Sequence, residues 1–506
     1  MKILQLGKQD LKHEITLRQE TKWVFCKPSD LEALLMPYTK KGVPKGEKPK
    51  RFDFVAVFIT SDLTADELAP IMPFLDAYRV IIFNDLKLDT LAKRYCAYKI
   101  NRSQLADMVK DVEQNFFMNQ YGDNRLIDQM EVTRNFNGKI SYNGRHELQL
   151  EGDFGTELSP LISYRVGFLL GKNGGIELWP VFEKSEGIEL KVVANLSYMG
   201  AIEEFKTLEF SEEDLKKPLV IDGYDQDVNV ALNIWAKGKG TLRWGNINQR
   251  LTRHQYGTLI MGGKRFADKK RQEFFYYYNP GNLKPPLNVY FAGWQRRTGF
   301  EGYFMMRNMK HPFLLIADPR LEGGSFYLGS DEYEQKLTSV IKDALAKLNF
   351  TPDQLVLAGL SMGTTGAIYY GSKIGAKAII VGKPLINLGS IALNNKLHRS
   401  NAFDTSLDIL LKYEKSVDKK AALDLNAKMI KALKNSKLKN GQLRIAYMKE
   451  DDYDENAFHD LIENLSDDNV KIVGKGYTGR HNDDSISINR WFINQYRTVL
   501  DEFEGE

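Results

Sequence analysis

Cysteine is almost missing from this 506-residue chain: Cys26 and Cys96 are its only two, and they stand far apart. No disulfide framework can be built from them, and neither sits in a metal-ligand spacing. Excess charge of one sign is also missing. A formal net charge of +4 is close to balance at this length and gives no case for nucleic-acid binding. No uninterrupted apolar segment reaches the length that spans a bilayer, and the opening MKILQLGKQD is too short an apolar stretch for a secretory signal. These absences together predict a soluble, cytoplasmic protein with no metal site and no nucleic-acid partner.

What is present is ample material for packed cores: 43% hydrophobic residues and 11% aromatics. The length calls for two or three domains, and the texture changes twice along the chain. Residues 1–135 mix strands and helices. Phe54–Ile59 and Arg79–Phe83 are continuous apolar runs expected as buried strands, and Ser61 is a candidate cap for a helix running to Tyr78. A second amphipathic helix is expected over Ser103–Phe117, and no phosphate-binding glycine loop is present in this region.

Residues 136–270 are read as short strands separated by Gly, Asn and Asp turns, among them Leu148–Glu151, Ile188–Val193 and Val228–Trp235. Strands at this spacing without helices predict a β-sandwich, carbohydrate-module-like in form. Trp179, Trp235 and Trp244, with Arg243 and Asn246 nearby, fit either sandwich core or a platform for a sugar ring, core being the commoner outcome.

Residues 271–506 are expected to form an α/β-hydrolase-like domain. Here Gly359-Leu360-Ser361-Met362-Gly363 follows the apolar run Leu355–Ala358 and precedes a small-residue helix. A G-x-S-x-G sequence between strand and helix is the pattern of a nucleophile elbow, in which a sharp turn lifts a serine Oγ at the C-terminal edge of a parallel sheet. In that architecture the acid and then the histidine follow the serine in chain order. Of the three histidines after Ser361, His398, His459 and His481, the last two are weighed as the base. His459 falls in an amphipathic helix, whereas His481 lies in a polar loop between the last strand, Val470–Val473, and the last helix, where a general base belongs. The acid should follow the strand Leu443–Met448, where Glu450, Asp451, Asp452 and Asp454 crowd together; Asp451 is chosen, with Glu450 and Asp452 as alternatives. An oxyanion hole would take one N–H from Met362 and a second from the loop after the strand Leu287–Ala292, where Gly293 permits close approach and Trp294 or Gln295 supplies the donor. Asp318 and Arg320, after the next strand, are candidates for the pocket lining. The lysine-rich helical insertion 390–440 is read as a lid or a docking surface, with a solvated face the commoner outcome.

These blocks, above all GLSMGTTG at 359–366, YMKEDDYD at 447–454 and the Gly479-Arg480-His481 loop, resemble the second accessory secretory protein of the accessory Sec system. The resemblance runs over essentially the whole chain. That system exports serine-rich-repeat glycoprotein adhesins in Gram-positive bacteria. The resemblance implies a triad of Ser361, Asp451 and His481 that O-acetylates N-acetylglucosamine on the adhesin in the cytoplasm. It also implies a part in export, in complex with other accessory secretory proteins and close to the accessory motor ATPase at the membrane translocon. No bound cofactor is implied; acetyl-CoA is the expected acetyl donor. Two other readings stand beside it: a non-catalytic scaffold of the export complex, and a plain cytoplasmic serine esterase.

Overall fold

The computed structural model describes residues 1–44, 46–321, 323–398, 406–438, 440–465 and 469–505. The chain forms two compact units. One comprises Met1–Gln120 with Arg253–Gly263 and Tyr278–Leu283; the other comprises Tyr121–Thr252, Lys264–Tyr277 and Lys284–Glu506.

The first unit is built on a five-stranded, wholly parallel sheet in the spatial order Lys22–Cys26, Lys2–Leu6, Ala56–Ile59, Val80–Phe83, Tyr98–Ile100. Every residue of Ala56–Ile59 and Val80–Phe83 is buried, as their continuous apolar runs require of strands covered on both faces. The helix expected from Ser61 to Tyr78 is instead a single turn, Ala65–Leu68, capped by Thr64 in a capping box with Glu67. Pro70 and Pro73 lack the N–H groups a longer helix needs, and the Ser61 hydroxyl accepts from the Lys8 backbone N–H at 3.0 Å. The second expected helix is present over Leu105–Asn115.

Within the second unit, residues from Gly122 to Leu251 form an eleven-stranded sandwich-like sheet organised around one 24-residue strand, Val228–Leu251. Its first half pairs with Ile188–Tyr198 and its second half with Ile176–Lys184 and Glu147–Asp153. The bend lies at Gly238 and Gly240, whose φ values of +99° and +144° suit glycine alone. This bend lets a single strand run through both halves, which enclose a core of alternating residues that includes Leu148, Val192, Ile234 and Trp244. Trp244 is fully buried and stacks on Phe182, and Trp179 is clasped between the guanidinium groups of Arg265 and Arg271. Those two tryptophans belong to packing.

The rest of the second unit carries an eight-stranded sheet, whose strands in chain order are β1 (Lys264–Ala267), β2 (Glu273–Asn279), β3 (Leu287–Phe291), β4 (Phe313–Ala317), β5 (Leu355–Leu360), β6 (Ala378–Gly382), β7 (Gln442–Met448) and β8 (Lys471–Tyr477). Their spatial order is β1-β2-β4-β3-β5-β6-β7-β8. Strands β4, β3, β5, β6, β7 and β8 run parallel to one another in that spatial succession, and β1 pairs antiparallel with β2. The exchange of β3 and β4 puts β5 in the middle of the sheet, with β3 on one side and β6 on the other. Loops leaving β3, β5, β6, β7 and β8 therefore converge on one edge, where open parallel sheets place their ligand sites.

Candidate active site

Ser361 stands between β5 and the helix Met362–Ile374, with φ +51° and ψ −121°. An L-residue is held there only when its surroundings over-determine it. Gly359 and Gly363 supply that environment. A Cβ on Gly359 would lie 2.4 Å from the backbone of Gly363, and one on Gly363 would lie 2.2 Å from the Phe291 carbonyl of β3. The turn is closed by the Ser361 N–H donating to Gly382 O at 2.9 Å and the Thr364 hydroxyl donating to Ser361 O at 2.6 Å.

The serine Oγ lies 2.9 Å from His481 Nε2. On the other side of the ring, Nδ1 is 2.8 Å from Asp451 Oδ2 and 3.1 Å from Oδ1. Both partners are buried, with His481 1% exposed. Strand pairing explains how residues 30 positions apart meet. β7 and β8 run in register from Gln442↔Lys471 to Met448↔Tyr477, and the Lys449 N–H continues the ladder to Tyr477 O at 2.8 Å, so the two loops leave the sheet side by side.

The crowded carboxylates separate by partner. Glu450 accepts from the Gly479 N–H, Asp452 from the His481 backbone N–H at 3.2 Å, and Asp451 alone of the three accepts from the imidazole. Asp454 accepts from the Ile386 and Asn387 N–H groups at 2.7 and 2.8 Å and so anchors the segment after β6; burial pushes its carboxyl up to about 6. Tyr453 stacks on the imidazole with centroids 4.5 Å apart, fixing the ring plane. His459 lies exposed on the helix Ala457–Leu465, away from this arrangement, as its amphipathic context predicts.

The oxyanion expectation needs correcting in one part. Met362 opens its helix, so its N–H is among the first-turn donors that lack an intrahelical acceptor. The Gly293 N–H, however, donates to Glu301 Oε2 at 2.7 Å, and the Gln295 N–H is directed to Gly323 O at 3.4 Å. Gln295 is thus engaged elsewhere, while Gly293 gives the close approach expected of it: a Cβ there would sit 3.2 Å from the carbonyl of Leu360, the residue before Ser361. Trp294 is the next residue of that loop.

Asp318 and Arg320 are turned to each other. They are 7% and 4% exposed and bind each other through Arg320 Nε at 2.8 Å and a second guanidinium nitrogen at 2.7 Å. Asp318 also accepts from the N–H groups of Arg320, Ser325 and Tyr327, which ties down the loop after β4. Burial works against its charge, but the guanidinium and these donors hold its carboxyl below the usual range.

The insertion after β6 contains the helices Leu388–His398, Ser406–Glu414 and Lys419–Lys434, with 399–405 outside the described residues. It is fastened to its surroundings by Lys428 paired with Glu334 at 2.6 Å, by Lys412 donating to Gln272, and by the Tyr413 hydroxyl donating to Leu328 O at 2.8 Å.

Two residues at this edge carry no motif in the sequence. Glu301 holds the Gly293 loop from eight positions downstream. Lys383, the first residue after β6, has φ +58°, is 7% exposed and donates from Nζ to Ser485 Oγ at 3.2 Å. Burial lowers its ammonium pKa, and the charges of Asp451 and Glu301 oppose that shift. The one signal available for Lys383 is a polar residue directly after a continuous apolar strand. Among the described residues there is no cluster of His, Cys, Asp and Glu able to hold a metal ion, and no helix long and apolar enough to cross a membrane.

A family model described as the accessory Sec system GspB-transporter matches residues 1–505. The chain belongs to the accessory Sec system GspB-transporter family. Two accessory Sec system proteins of this family, accessory secretory protein 2 of Streptococcus gordonii and of Staphylococcus aureus, are each 36% identical over all of this chain and cover 99% and 97% of their own lengths. A chain of the Glycosylation Associate Protein (Gap123) complex from Streptococcus agalactiae superimposes with a TM-score of 0.89 at 34% identity, over 99% of this family member and 98% of that chain. The likeness is thus full-length.

Proposed function

We propose that this protein is a serine-dependent O-acetyltransferase that acetylates N-acetylglucosamine on serine-rich-repeat adhesins before export, and that it supports their secretion as one component of an accessory Sec complex. The observation that carries the chemistry is the continuous Ser361 Oγ, His481 Nε2, His481 Nδ1, Asp451 relay at the edge of the parallel sheet. Family membership supports the export pathway, and the adhesin cargo is what the family resemblance implies. The solved relative belongs to a complex of glycosylation-associated proteins, which supports other accessory proteins as partners. The accessory motor ATPase and the translocon membrane are expected partners on the family resemblance, and the cytoplasm the expected compartment.

The reaction is a two-step acyl transfer. As Ser361 Oγ attacks the acetyl carbonyl of the donor, expected to be acetyl-CoA, its proton passes to His481 Nε2. Asp451 holds the imidazole with Nδ1 protonated and offsets the charge of the imidazolium. The Met362 N–H, with the Trp294 amide as its partner, receives the negative charge on the carbonyl oxygen. Collapse breaks the thioester, and the imidazolium returns its proton to the leaving thiolate. A sugar hydroxyl then attacks the acetyl-serine ester while giving its proton to the same nitrogen. The ester bond to Ser361 breaks and Oγ recovers the proton, so no redox partner or metal is needed for the balance.

Mass spectrometry of adhesin glycans from cells with the wild-type protein, Ser361→Ala or a full deletion tests this. Loss of the acetyl mass in Ser361→Ala with continued export establishes the transferase, export resting on protein contacts. Unchanged glycans in Ser361→Ala remove the transferase and leave the scaffold. A plain esterase would leave the glycans unchanged and still hydrolyse small acetate esters through Ser361.

A further inference from the structure

Trp294 is the most exposed of the chain's six tryptophans, at 43%, while Trp23, Trp179 and Trp244 are at 7% or below. It is also the one in the loop that abuts the nucleophile. An indole has the largest apolar surface of any side chain, and this one is left open on a loop whose backbone lies against the turn that carries Ser361.

Local packing shows that the exposure is built. After β4 the chain runs through Gly323 and Gly324, at φ +95° and +120°. A Cβ on Gly323 would lie 1.9 Å from Trp294 Nε1 and 2.3 Å from Cδ1, so the pyrrole edge of the indole rests directly on the glycine backbone. A Cβ on Gly324 would lie 2.5 Å from the methyl carbon of Met362, the residue after the nucleophile. Trp294 and Met362 thus rest on consecutive glycines. On its own chain, Trp294 follows Gly293, whose backbone touches Leu360, the residue before the nucleophile. The indole is therefore tied to both flanks of Ser361, with one edge seated and much of its surface open to solvent.

We infer that the Trp294 indole is the platform for the acceptor sugar, stacking the C–H face of an N-acetylhexosamine pyranose so that its hydroxyl meets the acetyl group on Ser361. This deepens, and rests on, the transferase reading. Its chemical consequence is the choice between transfer and hydrolysis. Water is present at far higher concentration than any acceptor, and the enzyme favours the sugar by holding it in attack geometry. The face of an indole binds the apolar face of a pyranose and gives water no N–H or acceptor oxygen to bind.

Two measurements test the inference. In the first, Ser361→Ala protein with ¹⁵N-labelled indoles is titrated with methyl N-acetyl-β-glucosaminide, the Trp294 resonance being assigned with Trp294→Phe. The expected result is a saturable shift of the Trp294 signal that glycerol does not reproduce; an unmoved signal overturns the platform. In the second, wild-type, Trp294→Phe and Trp294→Ala proteins are acetylated and the ratio of sugar ester to free acetate is read. Because both products come from one acetyl-enzyme, the ratio cancels any change in the rate of its formation. Trp294→Ala is expected to lower the ratio by about tenfold or more, with Trp294→Phe retaining most of it; an unchanged ratio overturns the inference. A shifted Trp294 signal in a protein that makes no sugar ester would uphold the sugar subsite and remove the transferase, so the two failures are distinguishable.

Discussion

Asp451 reaches His481 through a carboxylate oxygen 2.8 Å from Nδ1, while Asp452 beside it binds the same histidine only through its backbone N–H. The two acidic neighbours thus hold one residue in different ways. Asp451 sets the ring's tautomer and stabilises an imidazolium; Asp452 sets the position of the loop.

That division predicts unequal losses. Asp451→Asn preserves shape but no longer stabilises the imidazolium, and should lower kcat for acetate-ester turnover by about 10³–10⁴-fold. Asp452→Asn and Glu450→Gln keep an acceptor oxygen for the amides they bind and should each stay within about tenfold of wild type. Steady-state turnover of a chromogenic acetate ester by the three variants checks this. A larger loss in Glu450→Gln than in Asp451→Asn would move the acid to Glu450.

The sequence marked Ser361 and His481, which the fold brings within 2.9 Å, because the signal for each is local: a turn between one strand and one helix for Ser361, and the end of the last strand for His481. The acid was ambiguous because four carboxylates fall within five residues, 450–454. The register of β7 on β8, a long-range pairing, separates them. Long-range contacts also account for the differences elsewhere. Ser61 looked like a helix cap, but its hydroxyl is taken by the Lys8 amide from the neighbouring strand's loop. Gln295 lost its place as a candidate donor to the Gly323 carbonyl, and the Gly293 loop is held by Glu301, which carries no motif. The bend in the long sandwich strand was likewise hidden, since Gly238 and Gly240 are at home in an ordinary turn.

Lys383 gives a pH dependence whose sign follows from its burial. Its ammonium pKa is lowered in the folded protein relative to 10.5. A group lowered in this way contributes stability that is present above the unfolded value and is lost as pH falls through the folded value. The contribution of Lys383 to the unfolding free energy should therefore climb through the alkaline range up to about pH 10.5, so that stability rises less steeply with pH there in Lys383→Met, which keeps the stem without the charge, than in the wild type. Urea unfolding at a series of pH values compares the slopes. Equal slopes in the two proteins would mean that Lys383 is solvated in the folded state.

The Asp318–Arg320 pair predicts a loss of stability with a particular pattern of rescue. Asp318→Ala leaves the Arg320 guanidinium buried without its counter-charge, and should cost about 3–5 kcal/mol in urea unfolding. Removing the arginine as well, in Asp318→Ala/Arg320→Met, takes away the stranded charge and should recover part of that loss. Recovery cannot be complete, because the Ser325 and Tyr327 amides that donate to Asp318 at 3.0 and 3.1 Å still lack an acceptor, a penalty of about 1–3 kcal/mol for each buried group. The same amides belong to the loop that continues from Gly323 and Gly324, the seat of the Trp294 indole. The double variant should accordingly show weakened seating of Trp294, read as a shift of its ¹⁵N-indole resonance, even where unfolding measurements place it above Asp318→Ala. Full recovery of stability in the double variant would mean that water replaces the carboxylate at both amides and that the loop does not depend on the pair.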